Sequence, residues 1–287
     1  MDGLIELLTT KIPLGIWIRR GTDYVTDNFA GTFDLISDSL GFFIEGLIDL
    51  LLWPPPLLFI AIIAVLAWLL HRSLRMVLLV VIGFGLIFNL GYWEPTIETI
   101  ALVVCATLLC LVIGVPLGIW AGHREWLYTL LRPVLDLMQT IPPFVYLIPT
   151  LILFGLGVVP GLISTAIFAI AAPIRLTYLG IRGVPTPLVE AGQAFGASRM
   201  QLLWKVELPH ALPTIMAGVT QCIMLSLSMV VIAALVGADG LGEPVVRALN
   251  TVNIAQGFEA GLCIVILAVL LDRLVRSSGP ATTGGQR

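Results

Sequence analysis

The chain has 287 residues, 58% of them hydrophobic and only 11% charged, with a formal net charge of −3 and a mean hydropathy of +1.03. That balance excludes an ordinary water-soluble domain, about a quarter of whose residues are charged, and it excludes the basic surface that nucleic-acid binding requires. It points to an all-α, polytopic membrane helix bundle, in which each span needs about 20 mostly apolar residues to cross a hydrocarbon core of roughly 30 Å.

Residues 1–55 hold eight acidic side chains against three basic ones. They show no basic start followed by a long apolar core and a small-residue cleavage site, so no signal peptide is expected. Between Phe42 and Trp53, Phe43, Leu47, Leu50 and Leu51 recur at helical spacing with Glu45 and Asp49 on another face. This spacing predicts an amphipathic helix on the outer surface, stopped by Pro54, Pro55 and Pro56. Its apolar face suits lipid contact and packing on the spans equally well.

Seven apolar blocks follow, near 56–70, 76–91, 97–120, 138–155, 162–181, 210–236 and 258–275. The first two, within 56–91, are expected as peripheral transmembrane helices. Residues 92–276 are expected to form the core, with a cytoplasmic loop at 183–209, and the polar tail 277–287 to be disordered. Prolines inside the spans, Pro116, the Pro142–Pro143 pair and Pro173, predict kinks, because each removes a backbone hydrogen bond. Arg175, just after Pro173, is expected to reach the cytoplasmic face along its aliphatic stem.

Arginines mark every second connection: Arg72 and Arg75, Arg124 and Arg132, Arg182 with Arg199 and Lys205, and Arg273 with Arg276. The alternate connections carry only Arg247. By the positive-inside rule the first set faces the cytoplasm, the N-terminus lies outside and the C-terminus inside.

Chemistry of its own is hard to find in this chain. No G-x-x-x-x-G-K-[ST] phosphate loop occurs. Cys105, Cys110, Cys222 and Cys263 lie inside apolar spans without a CxxC pair, and His71, His123 and His210 each fall near a helix end rather than in a cluster. No metal site, no bound cofactor and no enzymatic activity are therefore expected. An ion-coupled carrier is disfavoured as well, since no ladder of Asp, Glu and His crosses the spans.

The cytoplasmic loop is different. From Glu190 to Pro209 it carries four charged side chains between two long apolar runs. Thr186 is expected as an N-cap with Pro187 at the first helical position. Gly196 supplies a left-handed residue, and Ser198 caps a second helix whose apolar face is Leu202, Leu203 and Val206. Pro209 marks the boundary with the next span. A small projection with one acidic anchor suits a groove in another protein.

On these residues the loop resembles the signature of permease subunits of ATP-binding-cassette importers: E-A-A, three residues, G, nine residues, I-x-L-P. Here the pattern falls on Glu190, Ala191, Gly192, Gly196, Val206, Leu208 and Pro209, with Gly for the third position and Val for Ile. Further stretches between about Pro116 and Arg273, such as IRLTYLGI and LSLSMVVIAALVGADGLG, look like the glycine betaine, proline and choline class. The resemblance implies a bacterial plasma-membrane permease whose core in the lipid bilayer is a homodimer or a pair with a related permease. It also implies cytoplasmic ATPase subunits that hold ATP and Mg, and a separate extracytoplasmic binding protein; the short tail leaves no room for a fused one. An importer for another small solute, an amino acid or a sulfonate, is the alternative.

A quaternary ammonium cation is usually held by aromatic faces. The central aromatics, Trp120, Phe144, Tyr146, Phe154, Phe168 and Tyr178, fall on different helices. A weak path lined by Phe144, Tyr146, Ser226, Ser228 and Met229 is therefore expected, in place of a preformed cage. The topology has a direct check: an impermeant thiol reagent should label a cysteine introduced at Asp23 in intact cells, and one at Ser278 only after permeabilisation. The opposite pattern would invert the orientation.

Overall fold

The structure is a computed structural model that describes residues 14–276. Its regular elements are all helices. The expected disordered tail lies outside the described residues, as do residues 1–13.

Helix α1, Leu14–Leu52, is 39 residues long and contains the amphipathic segment expected at 42–53 as its last part. Asp23, Asp27, Asp34, Asp38, Glu45 and Asp49 recur along it at alternating steps of four and seven residues, and all are exposed. At 3.6 residues per turn those steps keep the six carboxylates within a stripe of roughly 80°. Leu47 and Leu51 pack inward beside Ile44, whereas Phe43 and Leu50 are exposed with Phe42 and Trp53. The helix thus has three faces: core, acidic and free apolar.

The chain turns by 94° at the prolines before α2, Pro56–His71. Helices α2 and α3, Leu74–Asn89, have 16 residues each. At 1.5 Å per residue each reaches only about 24 Å, short of a full bilayer core. Val80, Phe84 and Ile87 of α3 are buried, Phe59, Phe84 and Trp93 meet edge to face, and Gly83 lets Ile266 and Leu270 approach closely.

Four expected spans are long apolar helical runs without a sharp bend: Trp93–His123, Val158–Arg182, Arg199–Val236 and Ile254–Val275. The first is α4. The second comprises α7, Val158–Ala169, and α8, Ala171–Arg182, which meet at Ile170 near Pro173. The third contains α11, Leu208–Ala233, and the fourth is α13, Ile254–Arg276. The expected span at 138–155 is instead a pair, α5, Glu125–Thr140, and α6, Pro143–Phe154, bent by 98°. Pro142 and Pro143 supply two residues without amide donors, and Ile141 before them is extended, so the helix cannot continue. The Tyr146 hydroxyl closes the bend by donating to the Met138 carbonyl at 2.6 Å.

The centre of the bundle is α8, held between α4 and α11. Gly114, Gly118 and Gly122 of α4 recur every four residues and face Pro173, Thr177 and Ile181 of α8. On the other side Gly180 meets Ala211, and Gly218 meets Leu176. Lipid supplies no hydrophobic drive between spans, so close backbone approach through small residues does the holding. The other end of the bundle closes on Gly240-Leu241-Gly242, where the Leu241 amide donates to Thr99 Oγ1 at 2.9 Å. Gly242 begins the short helix α12, Gly242–Thr251. All four cysteines are buried and free.

A Cβ on Gly118 would lie 2.6 Å from Thr177 Cβ and 2.8 Å from the Ile174 carbonyl oxygen, so Gly118→Ala must push two backbones apart. The expected cost is about 1–3 kcal/mol, read as a lower unfolding midpoint in detergent. Gly85→Ala, which meets nothing within 4 Å, should leave the midpoint unchanged or higher.

Candidate coupling site

The loop expected at 183–209 is a helix, a turn and a second helix. Helix α9, Thr186–Ala194, begins at Thr186 itself and not after it; Pro185 holds the cap position and no side chain closes the end. The donors a Thr186 cap would accept from are the Leu188 and Val189 amides. The Leu188 amide finds the Pro185 carbonyl at 2.9 Å.

Glu190 and Ala191 are exposed on α9, and Glu190 has no partner among the described residues. Gly192 is half-buried, and a Cβ there would lie 2.7 Å from Leu202 Cδ1. That contact is with a terminal methyl able to rotate aside, so glycine or alanine fits at this third position. Phe195 stands 93% exposed at the tip. Gly196 turns the chain with φ +75°, and the Ala197 amide donates to the Gly192 carbonyl at 3.1 Å.

Ser198 then caps α10, Arg199–Leu202: its hydroxyl accepts from the Gln201 amide, and its own amide donates to Gln201 Oε1 at 2.9 Å. The chain does not break at Pro209. A π-helical turn, Leu203–Glu207, joins α10 to α11, and Pro209 sits in the first turn of α11, where a missing amide hydrogen is harmless. Leu203 and Leu208 pack on Ile181, Ala211 and Ile215. Val206 is half-buried near Gly192.

Two polar contacts at this end were invisible in the sequence. Glu207, the unspecified position of the signature, is 6% exposed, and its Oε2 lies 2.8 Å from His123 Nε2 at the end of α4. Arg182, the last residue of α8, donates to Glu125 at 2.8 Å. Their sequence separations of 84 and 57 residues leave no local signal. Arg175 pairs with Asp136 on α5.

The five residues expected along a path do not share one surface. Phe144 and Ser228 are exposed, Tyr146 is bound to Met138, and Ser226 and Met229 are fully buried within the chain. Aromatic rings pair with one another: Tyr128 stacks on Tyr178 at 3.5 Å, and Phe154 meets Phe33 edge to face.

The family described as “Binding-protein-dependent transport system inner membrane component” matches residues 114–283. The chain is 47% identical to the glycine betaine transport system permease protein OpuAB of Bacillus subtilis (strain 168), over 93% of this chain and 94% of that protein. It is 44% identical to the glycine betaine/carnitine transport permease protein GbuB of Listeria monocytogenes, over 93% and 95%. Identity to the glycine betaine/proline betaine transport system permease protein ProW of Escherichia coli (strain K12) is also 44%, over 94% of this chain and 76% of that one. A chain of the inward-facing MetNI methionine ABC transporter superposes with a TM-score of 0.58 at 25% identity, covering 72% of this chain and all of that chain.

The turn at Gly196 has its own check. A valine there must adopt a left-handed conformation at a cost of about 1–2 kcal/mol, so Gly196→Val should raise tryptic cleavage at Arg199 and Lys205 several-fold in the purified protein. Gly192→Ala should leave the cleavage rate unchanged.

Proposed function

The chain belongs to the family of binding-protein-dependent transport system inner membrane components, and we propose that it is the permease subunit of an ATP-driven importer for glycine betaine and related quaternary ammonium solutes. Two such chains form the translocation path. Cytoplasmic ATPase subunits hold ATP and Mg and dock on the 183–209 loop, and a separate extracytoplasmic binding protein delivers the solute. The permease itself performs no bond chemistry. The N-terminus lies outside and the C-terminus in the cytoplasm, which puts α1 on the side where the solute arrives and the loop on the side where ATP is found.

The observation that carries this reading is the geometry of the loop. Glu190 stands unpartnered on a short helix with Ala191 beside it and Phe195 at its tip, while Gly196 and the Ser198 capping box hold the second helix against it. An exposed acid and an exposed aromatic on a rigid hairpin are the features a docking helix needs to fill a groove in another protein. The solute class rests on the relatives, which are named for glycine betaine over nearly their whole length. Selectivity is assigned to the binding protein: of the central aromatics, Tyr178 stacks on Tyr128, Phe154 meets Phe33, Tyr146 is tied to Met138 and Phe144 is exposed, which is not the arrangement of a preformed cage.

The test uses the permease expressed with its ATPase and binding protein in cells that lack other betaine uptake. Saturable, ATP-dependent betaine uptake and copurification of the ATPase are expected. Glu190→Lys should reduce both at least tenfold while membrane insertion is retained. Uptake of an amino acid or sulfonate in place of betaine would overturn the solute class, and normal uptake by Glu190→Lys would overturn the docking role.

A further inference from the structure

The coupling loop leaves the membrane bundle at Arg182 and rejoins it at Glu207, and both roots are gripped from one place. That place is the corner between α4 and α5. His123 ends α4, Arg124 is extended with φ −133° and ψ 99°, and Glu125 begins α5. His123 reaches Glu207 at 2.8 Å, and Glu125, two residues on, reaches Arg182 at 2.8 Å. Trp120 and Trp126 meet edge to face across the corner at 6.4 Å, and Tyr128 stacks on Tyr178 further along, so the corner is braced on both sides.

The two contacts are unequal. Arg182 and Glu125 are 47% and 78% exposed, and an ion pair so open to water contributes little. In the other pair the His123 side chain is 43% exposed, but that of Glu207 only 8%. A carboxylate taken that far out of water must keep a partner. The ring of His123 is held in the matching orientation. Its Nδ1 lies 2.9 Å from the Ile119 carbonyl oxygen, which can only accept, so Nδ1 carries the hydrogen and Nε2 is turned to Glu207.

The position of Glu207 adds the mechanical reason. It is the last residue of the π-helical turn at 203–207, the one irregular stretch in an otherwise continuous helical run from Arg199 to Ala233. Such a turn holds an extra residue and marks functional irregularities in helices. Left unsupported, it would absorb a push on α9 and α10 by changing its own register.

We propose that His123 and Glu207 form a latch that fixes this turn to the end of α4, making the loop a rigid lever between the docked ATPase and the central helices. Both are positioning residues; neither needs to touch solute or nucleotide. The proposal rests on the reading of 183–209 as the ATPase docking loop.

The experiment uses the complete importer, permease with ATPase and binding protein, in proteoliposomes, and measures ATP hydrolysed per betaine transported. His123→Ala and Glu207→Ala are expected to raise that ratio at least threefold. Glu207→Gln, whose amide can still donate to Nε2, should stay within about 1.5-fold of the parent, and so should Arg182→Gln, which removes only the exposed pair. Glu207→Leu keeps an apolar side chain of similar size in the buried position without the hydrogen bond, and should uncouple even if the alanine variants do not assemble. Spin labels on cysteines introduced at Thr129 and Met200 give an independent readout, since the native cysteines are buried. Their distance distribution in the complex should be narrow in the parent and the Gln variant and broad in the Leu variant. A parent-like ratio in the Leu variant, or an unchanged narrow distribution, overturns the latch. A parent complex that neither retains the ATPase nor moves betaine overturns the functional reading instead.

Discussion

The structure depends on the close approach of α8 to its two neighbours. Gly114, Gly118 and Gly122 on one side and Gly218 with Ala211 on the other leave no room for larger side chains. In water such a helix would be pressed inward by the loss of apolar hydration, but among lipid tails that drive is absent and only contact distance remains. Small residues shorten the distance, and the buried face of α8 is then in contact along its length. Thr177 and Pro173 at these contacts are buried accordingly.

From that packed helix the end of the bundle that carries the 183–209 loop is set. α8 ends at Arg182, the chain leaves through Gly183 to Pro185, and α9 starts at once. Because α8 cannot tilt without separating from α4 and α11, the first root of the loop has a fixed direction. The second root is different in kind. It runs through a π-helical turn, and a helix with irregular bonding is fixed only if something outside it holds it. The contact of the half-exposed His123 with the buried Glu207 lies at that place. Charged pairs elsewhere, such as Arg175 with Asp136 and Arg247 with Glu243, are partly open to water, which screens them so that each contributes little alone.

Much of this was open to reading in advance, because membranes limit what a sequence can mean. The apolar blocks at 97–120, 162–181, 210–236 and 258–275 are helices since no other local structure satisfies its backbone in hydrocarbon. Gly196 and Ser198 announced a turn and a cap through their own backbone chemistry, and both act as expected. Local reading failed where two local rules competed. At 138–155 apolar composition argued for one span with a kink at Pro142–Pro143, and the two prolines instead divide it into helices bent by 98°, a bend that Tyr146 holds. At Thr186 a good capping residue lost its role because the Leu188 amide turns to the Pro185 carbonyl and the helix starts one residue earlier.

The sequence by itself determined that this chain is a membrane bundle of helices, where its loops turn, and which loop carries a docking signature, because each of these depends on composition or on residues a few positions apart. Only the tertiary structure decided which face of each helix is inside. Ser226 and Ser228 are two residues apart on α11, yet one is buried and the other exposed, since the neighbours that cover a helix face come from distant parts of the chain. The same reason hid the partners of Glu207 and Arg182. A pairing across 84 residues is set by how α4, α8 and α11 pack, and packing is a property of the whole bundle that no stretch of the sequence holds alone.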